Sequence, residues 1–303
     1  MLSFSTCWNR SRHRQGQDLA EELLTMGVRT IEFGHGLAVS QLEGLLRVVE
    51  RGDLQVSSVH NFCPHPIEVG GSSPDCYEVT SHRESDRRRF VRLTQQTLDV
   101  AQRVGARAVV IHGGRVRTMH NYREVLALVA EGKFLSKAYA DCKVEAVPVR
   151  EAASARMLQR LEKALREVVP MAEQSGIKLG LENRERYEDV PSEREMLPFL
   201  ERIGSSAVGY WHDFGHAQIK ENLGFLHHRD WFAAAQSRLV GCHVHDVHWP
   251  NEDHLVPGSG EIAWPDFVEQ LPPEIPVVFE LSPKMEKEAV VKAWKRWQEI
   301  HPW

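Results

Sequence analysis

No apolar run in this chain approaches the roughly 18 residues that a membrane-spanning helix requires, so a membrane protein built on helices is not expected. The opening residues, Met1-Leu-Ser-Phe-Ser-Thr, have neither the basic start nor the long apolar stretch of a secretory leader, and a cytoplasmic location is expected. Cysteine is sparse. Cys7, Cys63, Cys76, Cys142 and Cys242 are odd in number, widely spread and never spaced as CxxC, which predicts reduced thiols. Cys242 lies in the apolar run Leu239-Val-Gly-Cys and reads as core. Positive charge is short as well: 37 Lys and Arg face 42 Asp and Glu, for a net charge of −5. No global field then draws the protein to nucleic acid or an anionic membrane, and any anionic partner must be gripped locally. Domain boundaries, low-complexity tracts and short-period repeats are also missing, so residues 1–303 read as one domain.

What the chain does have is alternation. Short strand-like runs near residues 2–6, 28–33, 54–61, 107–112, 177–182, 207–213, 239–245 and 276–280 alternate with helical patterns. The helical stretches include Asp18 to Leu24, Arg89 to Val104, Ala155 to Gln174 and Lys287 to Trp297. Gly27, Gly105 and Gly176 stand where helices should stop, because glycine tolerates the left-handed cap. Eight βα units predict a (β/α)8 TIM barrel, whose active site is built at the C-terminal ends of the strands. The competing open doubly wound sheet would usually carry a glycine-rich phosphate loop, and no GxGxxG or GxxxxGK[ST] follows a strand here. Two connections are long, residues 62–84 after the third strand and 113–150 after the fourth, the latter with helix-like sequence at Tyr122–Ala130. Both are candidate lids over the barrel mouth.

The strand ends carry ligand-type side chains: His60, His112, Glu182, Asp213, His243 and Glu280, with His216 three residues beyond Asp213. Sixteen histidines, several crowded between 212 and 254, strengthen the pattern. A carboxylate at the end of a buried strand needs a partner. For Glu182 and Glu280 that partner is either a metal or a neighbouring Arg or Lys. Asp213 and His216 read either as metal ligands or as a capped helix start in which Gly215 eases the turn. In His243-Val-His245-Asp246 alternation puts both histidines on one side; His243 is preferred as ligand and Asp246 as a supporting partner. His60 and His112 are ligands or hydrogen-bonded core residues, and Glu32 reads as an anchor behind the site. The segment from Glu252 to Ile262 is expected to be a loop whose glycines bring backbone close to a ligand, with His254 contacting substrate or another metal. Arg115, Arg117, Arg184, Arg186 and Lys220 follow these strands, where they grip a phosphate or carboxylate or are solvated surface charge.

Glu182-Asn, Asp213-Phe-Gly-His216, His243-Val-His-Asp246 with Pro257-Gly-Ser-Gly260, and Glu280 together resemble the xylose isomerase-like TIM barrel superfamily. The resemblance implies one divalent metal (Mn, Zn, Mg or Co) on Glu182, Asp213, His243 and Glu280. It further implies Glu182 and Glu280 as the catalytic acid/base pair, and His60, His112, His216, His254 and Arg184 around a small carbohydrate substrate. The implied activity is isomerisation or epimerisation of a sugar, sugar phosphate or sugar acid, with related dehydratases in the same superfamily; a homo-oligomer is compatible with it. The chain is similar to endonuclease IV at further positions, which would add zinc ions on His60, His112, His216 and His254, although Glu252 stands where that enzyme has aspartate. The acidic balance argues against nucleic acid. A barrel that binds a small molecule without catalysis is the third possibility.

Overall fold

The computed structural model describes residues 1–117 and 119–300; residues 118 and 301–303 of the expected domain lie outside them. Eight parallel strands close into a barrel in chain order around the ring. They are β1 (Leu2–Ser5), β2 (Thr30–Phe33), β3 (Gln55–His60), β4 (Ala108–His112), β5 (Lys178–Glu182), β6 (Val208–Asp213), β7 (Leu239–Val244) and β10 (Val277–Phe279). Closure comes from β10, which pairs with β7 on one side and β1 on the other. The expected (β/α)8 architecture and strand positions are observed. Between β7 and β10, β8 (Asp246–His248) and β9 (Glu252–Leu255) form a separate antiparallel pair, where a loop was expected.

Strand alternation sorts the side chains. Phe4, Ile31, Phe33, Val59, Val109, Ile111, Leu179, Leu181, Val277 and Phe279 belong to the main hydrophobic cluster, which also takes in the helices. The intervening Ala108, Val110, Trp211 and Val278 form a separate small cluster that fills the barrel. Trp211 needs the room: a Cβ on Gly241 would lie 2.0 Å from its ring, and one on Gly180 2.9 Å. The polar members of the same inner rows lie at the strand ends, His112, Glu182 and Asp213 as last residues and His243 one before the last, so the apolar plug supports a polar mouth.

The helices are α1 (Gly16–Thr25), α2 (Val39–Glu50), α3 (Glu84–Arg103), α4 (Asn121–Ala130), α5 (Lys137–Ser175), α6 (Glu193–Ile203), α7 (Phe214–Asn222), α8 (His228–Ala235) and α9 (Lys287–Ile300). Among the described residues no helix is long and apolar enough to cross a membrane. The second long connection is mostly helix. α5 spans 39 residues and runs through Pro148 and Pro170. The helix expected over residues 155–174 covers only the second half of α5, and an interior proline costs a helix about 3 kcal/mol. Tertiary packing overrides it, for Ala146, Arg150 and Ser154 are buried around Pro148.

Arg150 is the anchor of that stretch. Its guanidinium donates to both oxygens of Glu195 at 2.9 and 2.8 Å, and to the carbonyls of Tyr187 and Asp189 at 2.7 and 2.8 Å. One side chain therefore ties α5 to the start of α6 and to the loop after β5. Burial alone would raise the Glu195 carboxyl, but the hydrogen bonds and charge of Arg150 outweigh it and lower it from 4.5 to about 2. The folded value is depressed, so the stability from this pair is complete above the unfolded carboxyl range and is lost as pH falls toward 2. Arg150→Ala removes the cation beside Glu195, leaves it only the Ser192 N–H, and should lower the unfolding free energy by about 2–3 kcal/mol near neutrality. Urea denaturation at pH 7 and near pH 2 checks this; the deficit should shrink in acid.

Candidate metal centre

Glu182, Asp213, His243 and Glu280 meet at the C-terminal mouth of the barrel, with one ligand atom from each within 4.8 Å of the others. His243 Nδ1 lies 3.4 Å from Glu182 Oε1, 3.6 Å from Asp213 Oδ2 and 3.2 Å from Glu280 Oε2. The other ring nitrogen is committed: Nε2 donates to Glu32, 3.2 Å from Oε2, and Ser58 Oγ holds the same oxygen at 2.8 Å. Glu32 thereby fixes the tautomer that leaves the Nδ1 lone pair facing the three carboxylates.

The alternatives at positions 243 and 245 resolve into two jobs. His245 Nε2 donates to Asp213, and its Nδ1 accepts from the His254 backbone N–H at 2.9 Å, so its lone pair is spent on protein. It holds Asp213 in place. Gly215 permits this approach rather than easing a turn, since a Cβ there would lie 1.9 Å from the His245 ring. Asp213 Oδ1 caps α7 by accepting from His216 N–H at 2.7 Å, while Oδ2 is left facing His243.

Two further groups flank the four. His60, His112 and Glu182 come within the same span, as do His216, Asp253 and His254. Each histidine of the first pair again spends one nitrogen on protein. His60 Nδ1 bonds the Asn61 carbonyl at 2.9 Å and presents Nε2 to Glu182 Oε2 at 3.6 Å. His112 Nδ1 bonds Asp75 at 2.6 Å and presents Nε2 to the same oxygen at 2.8 Å. Arg184 closes over this pair, with Nη1 2.7 Å from His112 Nε2 and 3.6 Å from Glu182. In the second group His216 Nδ1 bonds the Asn183 carbonyl at 3.0 Å. His254 Nδ1 lies 3.1 Å from Asp253, and its Nε2 3.7 Å from Glu280. His254 also takes a left-handed backbone, φ 56°, a conformation costly for a bulky residue and concentrated at functional sites. Cys7 and His35 form a further group of the same span with Glu280.

Four carboxylates, Glu32, Glu182, Asp213 and Glu280, are thus buried around one imidazole. Burial opposes ionisation of Glu182, Asp213 and Glu280, yet the surrounding imidazoles, and Arg184 beside Glu182, hold all three well below the ordinary carboxylate range. Burial likewise opposes protonation of His243, but Glu280 and Glu32 outweigh it and raise the ring well above its ordinary value. Glu182 Oε2 is buried without an aligned hydrogen bond, the neighbouring imidazole notwithstanding. An anionic nest with an orphaned oxygen and an imidazole Nδ1 aimed inward fits a divalent cation, whose binding would displace the Nδ1 proton, and mixed carboxylate and imidazole donors suit Mn, Co, Zn or Mg.

Other expected residues behave differently. Lys220 is buried and bonds Glu193 at 2.7 Å, so it is neither a substrate grip nor surface charge. Glu252 is exposed and faces His248; the carboxylate beside His254 comes from Asp253, one residue on. The glycines of Pro257-Gly-Ser-Gly260 approach Asp246, not an open pocket. Asp246 accepts from the N–H groups of Val247, Gly258 and Ile262 and from Trp264 Nε1. Asn183 is a supporting residue that strand-end reasoning passes over: its side chain bonds the backbone of Asp213 on both sides, at 2.7 and 3.0 Å. Asp75 sits in a connection with no periodic pattern that would mark it.

An uncharacterized protein of Methanocaldococcus jannaschii is 20% identical over 257 residues, spanning 83% of this chain and 80% of that protein. D-psicose 3-epimerase of Enterocloster bolteae is 30% identical over 114 residues, 37% of this chain and 35% of the enzyme. Among solved structures, a D-tagatose 3-epimerase-like protein superposes with a TM-score of 0.70 at 19% identity, covering 98% of this chain and 96% of that one. The model of the xylose isomerase-like TIM barrel matches residues 20–297, from α1 into α9. A match of that extent carries the conclusion that the chain belongs to the xylose isomerase-like TIM barrel family.

Proposed function

We propose that the protein is a divalent-metal-dependent sugar epimerase or isomerase. The observation that carries this reading is the convergence of Glu182, Asp213, His243 and Glu280 within one 4.8 Å span at the barrel mouth. The similarity to sugar epimerases supports the choice of substrate class. A bound divalent ion would supply Lewis acidity to adjacent carbonyl and hydroxyl oxygens of the sugar.

The chain supplies the proton chemistry. Glu182 projects from the end of β5 and Glu280 follows β10, on different sectors of the ring, so the two carboxylates approach a bound carbon from different sides. One removes the proton beside the carbonyl and the other returns it, which inverts the centre. Both are held ionised by their neighbours. His216, His254 and Arg184 orient hydroxyls, and His60 and His112 fix Glu182 from behind. Among the described residues Asp246 takes no part, because its oxygens are used by the turn that it organises.

A second reading is favoured by one observation, the two additional ligand groups at His60-His112-Glu182 and His216-Asp253-His254. With Asp253 replacing the exposed Glu252, a site for three ions is complete in residue type, and three clustered ions suit phosphoester cleavage.

Metal content separates the two. Elemental analysis of the purified protein should give about one divalent ion per chain, lost in Asp213→Ala; about three zinc ions would favour the second reading. Glu182→Gln and Glu280→Gln proteins should keep the circular dichroism of the parent. Their turnover on ketoses, aldoses and their phosphates should fall by roughly 10²–10⁴, the usual worth of a positioned acid/base. Full activity in both variants would end the epimerase assignment.

A further inference from the structure

Beside the metal centre lies a cavity of about 240 Å³ whose wall includes Arg115, Arg117, Tyr122, Arg123, Arg186 and Glu188. A smaller cavity of about 20 Å³ shares Arg115 and Arg186 with it and reaches His112 and Arg184, which touch Glu182. Four guanidiniums therefore surround one hollow that adjoins the proposed catalytic carboxylate, on a protein whose net charge is −5.

These guanidiniums are only partly spent. Arg115 uses Nε and Nη2 on Glu78 at 3.0 Å each. Arg117 reaches the other Glu78 oxygen through Nε at 2.6 Å, and Arg186 reaches Glu185 through Nε at 3.0 Å. Neither Arg117 nor Arg186 commits its Nη groups to a hydrogen bond with a described residue, and Arg123 forms no side-chain hydrogen bond or ion pair with one. Arg186 is braced by its approach to the Tyr122 ring, 5.6 Å from the centroid. Opposite in character is Glu188, nearly buried in the same wall. Its Oε1 accepts from the Tyr122 N–H at 2.9 Å, while Oε2 has no partner among the described residues. The wall thus combines unspent cationic donors with one unspent acceptor.

We propose that this hollow is the anion subsite of the sugar-processing site, and that the substrate is a sugar carrying a phosphate monoester. A carboxylate engages one guanidinium edge to edge, whereas several guanidiniums converging from separate segments match the three terminal oxygens of a phosphate monoester. This subsite rests on the epimerase or isomerase reading for the sugar, but its own chemistry is read from the arginines.

Isothermal titration of the intact protein with inorganic phosphate, with and without chelator, tests the subsite separately from the metal. One saturable phosphate per chain is expected, unaffected by chelator and weakened roughly tenfold or more in Arg117→Ala and Arg123→Ala, since charge-assisted hydrogen bonds are lost. Both arginines are exposed, so the variants should fold as the parent does. No saturable phosphate binding, binding that the two variants leave unchanged, or gluconate competing as well as a sugar phosphate would each overturn the proposal. Metal-dependent epimerisation of free sugars with no phosphate binding would overturn the subsite and leave the epimerase reading standing. Arginine-dependent phosphate binding without any sugar turnover would uphold the subsite and count against that reading.

Discussion

The concentration of buried negative charge at the barrel mouth is the constraint on which the rest of the structure depends. Glu32, Glu182, Asp213 and Glu280 are all nearly or fully inaccessible to solvent. Buried charges on that scale are tolerated only when paired or coordinated, and the protein answers with imidazoles arranged around them. The answer is asymmetric: His60, His112 and His243 each give one nitrogen to a protein acceptor and turn the other toward a carboxylate of the site. An arrangement meant only to neutralise carboxylates would not need such consistent tautomer control. One meant to hold cations would.

The scaffold separates this polar layer from its support. The shell between strands and helices is apolar, and a single indole, Trp211, occupies the barrel beneath the ligands and stands 5.0 Å from the His243 ring. Glycine at 180 and 241 is the steric condition for that indole. Outside the ring, the clamp at Arg150 holds the loop after β5, which carries Arg184 and Arg186. Mouth chemistry and helix packing are therefore linked through one buried guanidinium.

Much of this was legible in the sequence. Short runs bounded by Gly, Pro or polar residues located all eight barrel strands, and six of those runs brought His60, His112, Glu182, Asp213, His243 and Glu280 to one end of the barrel. Reading failed where tertiary context overrules local pattern. The helix expected over residues 155–174 begins at Lys137 instead, because buried neighbours carry α5 through Pro148. Lys220 looks like a grip on the active face, yet it is turned inward onto Glu193. Glu252 was taken as the acidic residue before His254, whereas the β8–β9 pairing exposes it and sends Asp253 to the site, since one residue along a strand reverses the face. Asp75 contacts His112 from a distant connection with no periodicity, a relation that only folding creates.

The turn gathered by Asp246 has a bearing on how relatives are read. Four donors converge on that carboxylate, and Gly260 lies so close that a Cβ would meet it at 2.4 Å. Asp246 and the Pro-Gly-Ser-Gly stretch thus form a self-contained lock, held by its own hydrogen bonds rather than by Asp253 or His254 beside it. A descendant that lost His254 or Asp253 would still keep the lock and present the same local signature. The signature records the shape of the hairpin, and inheritance of that shape carries no guarantee of inherited chemistry.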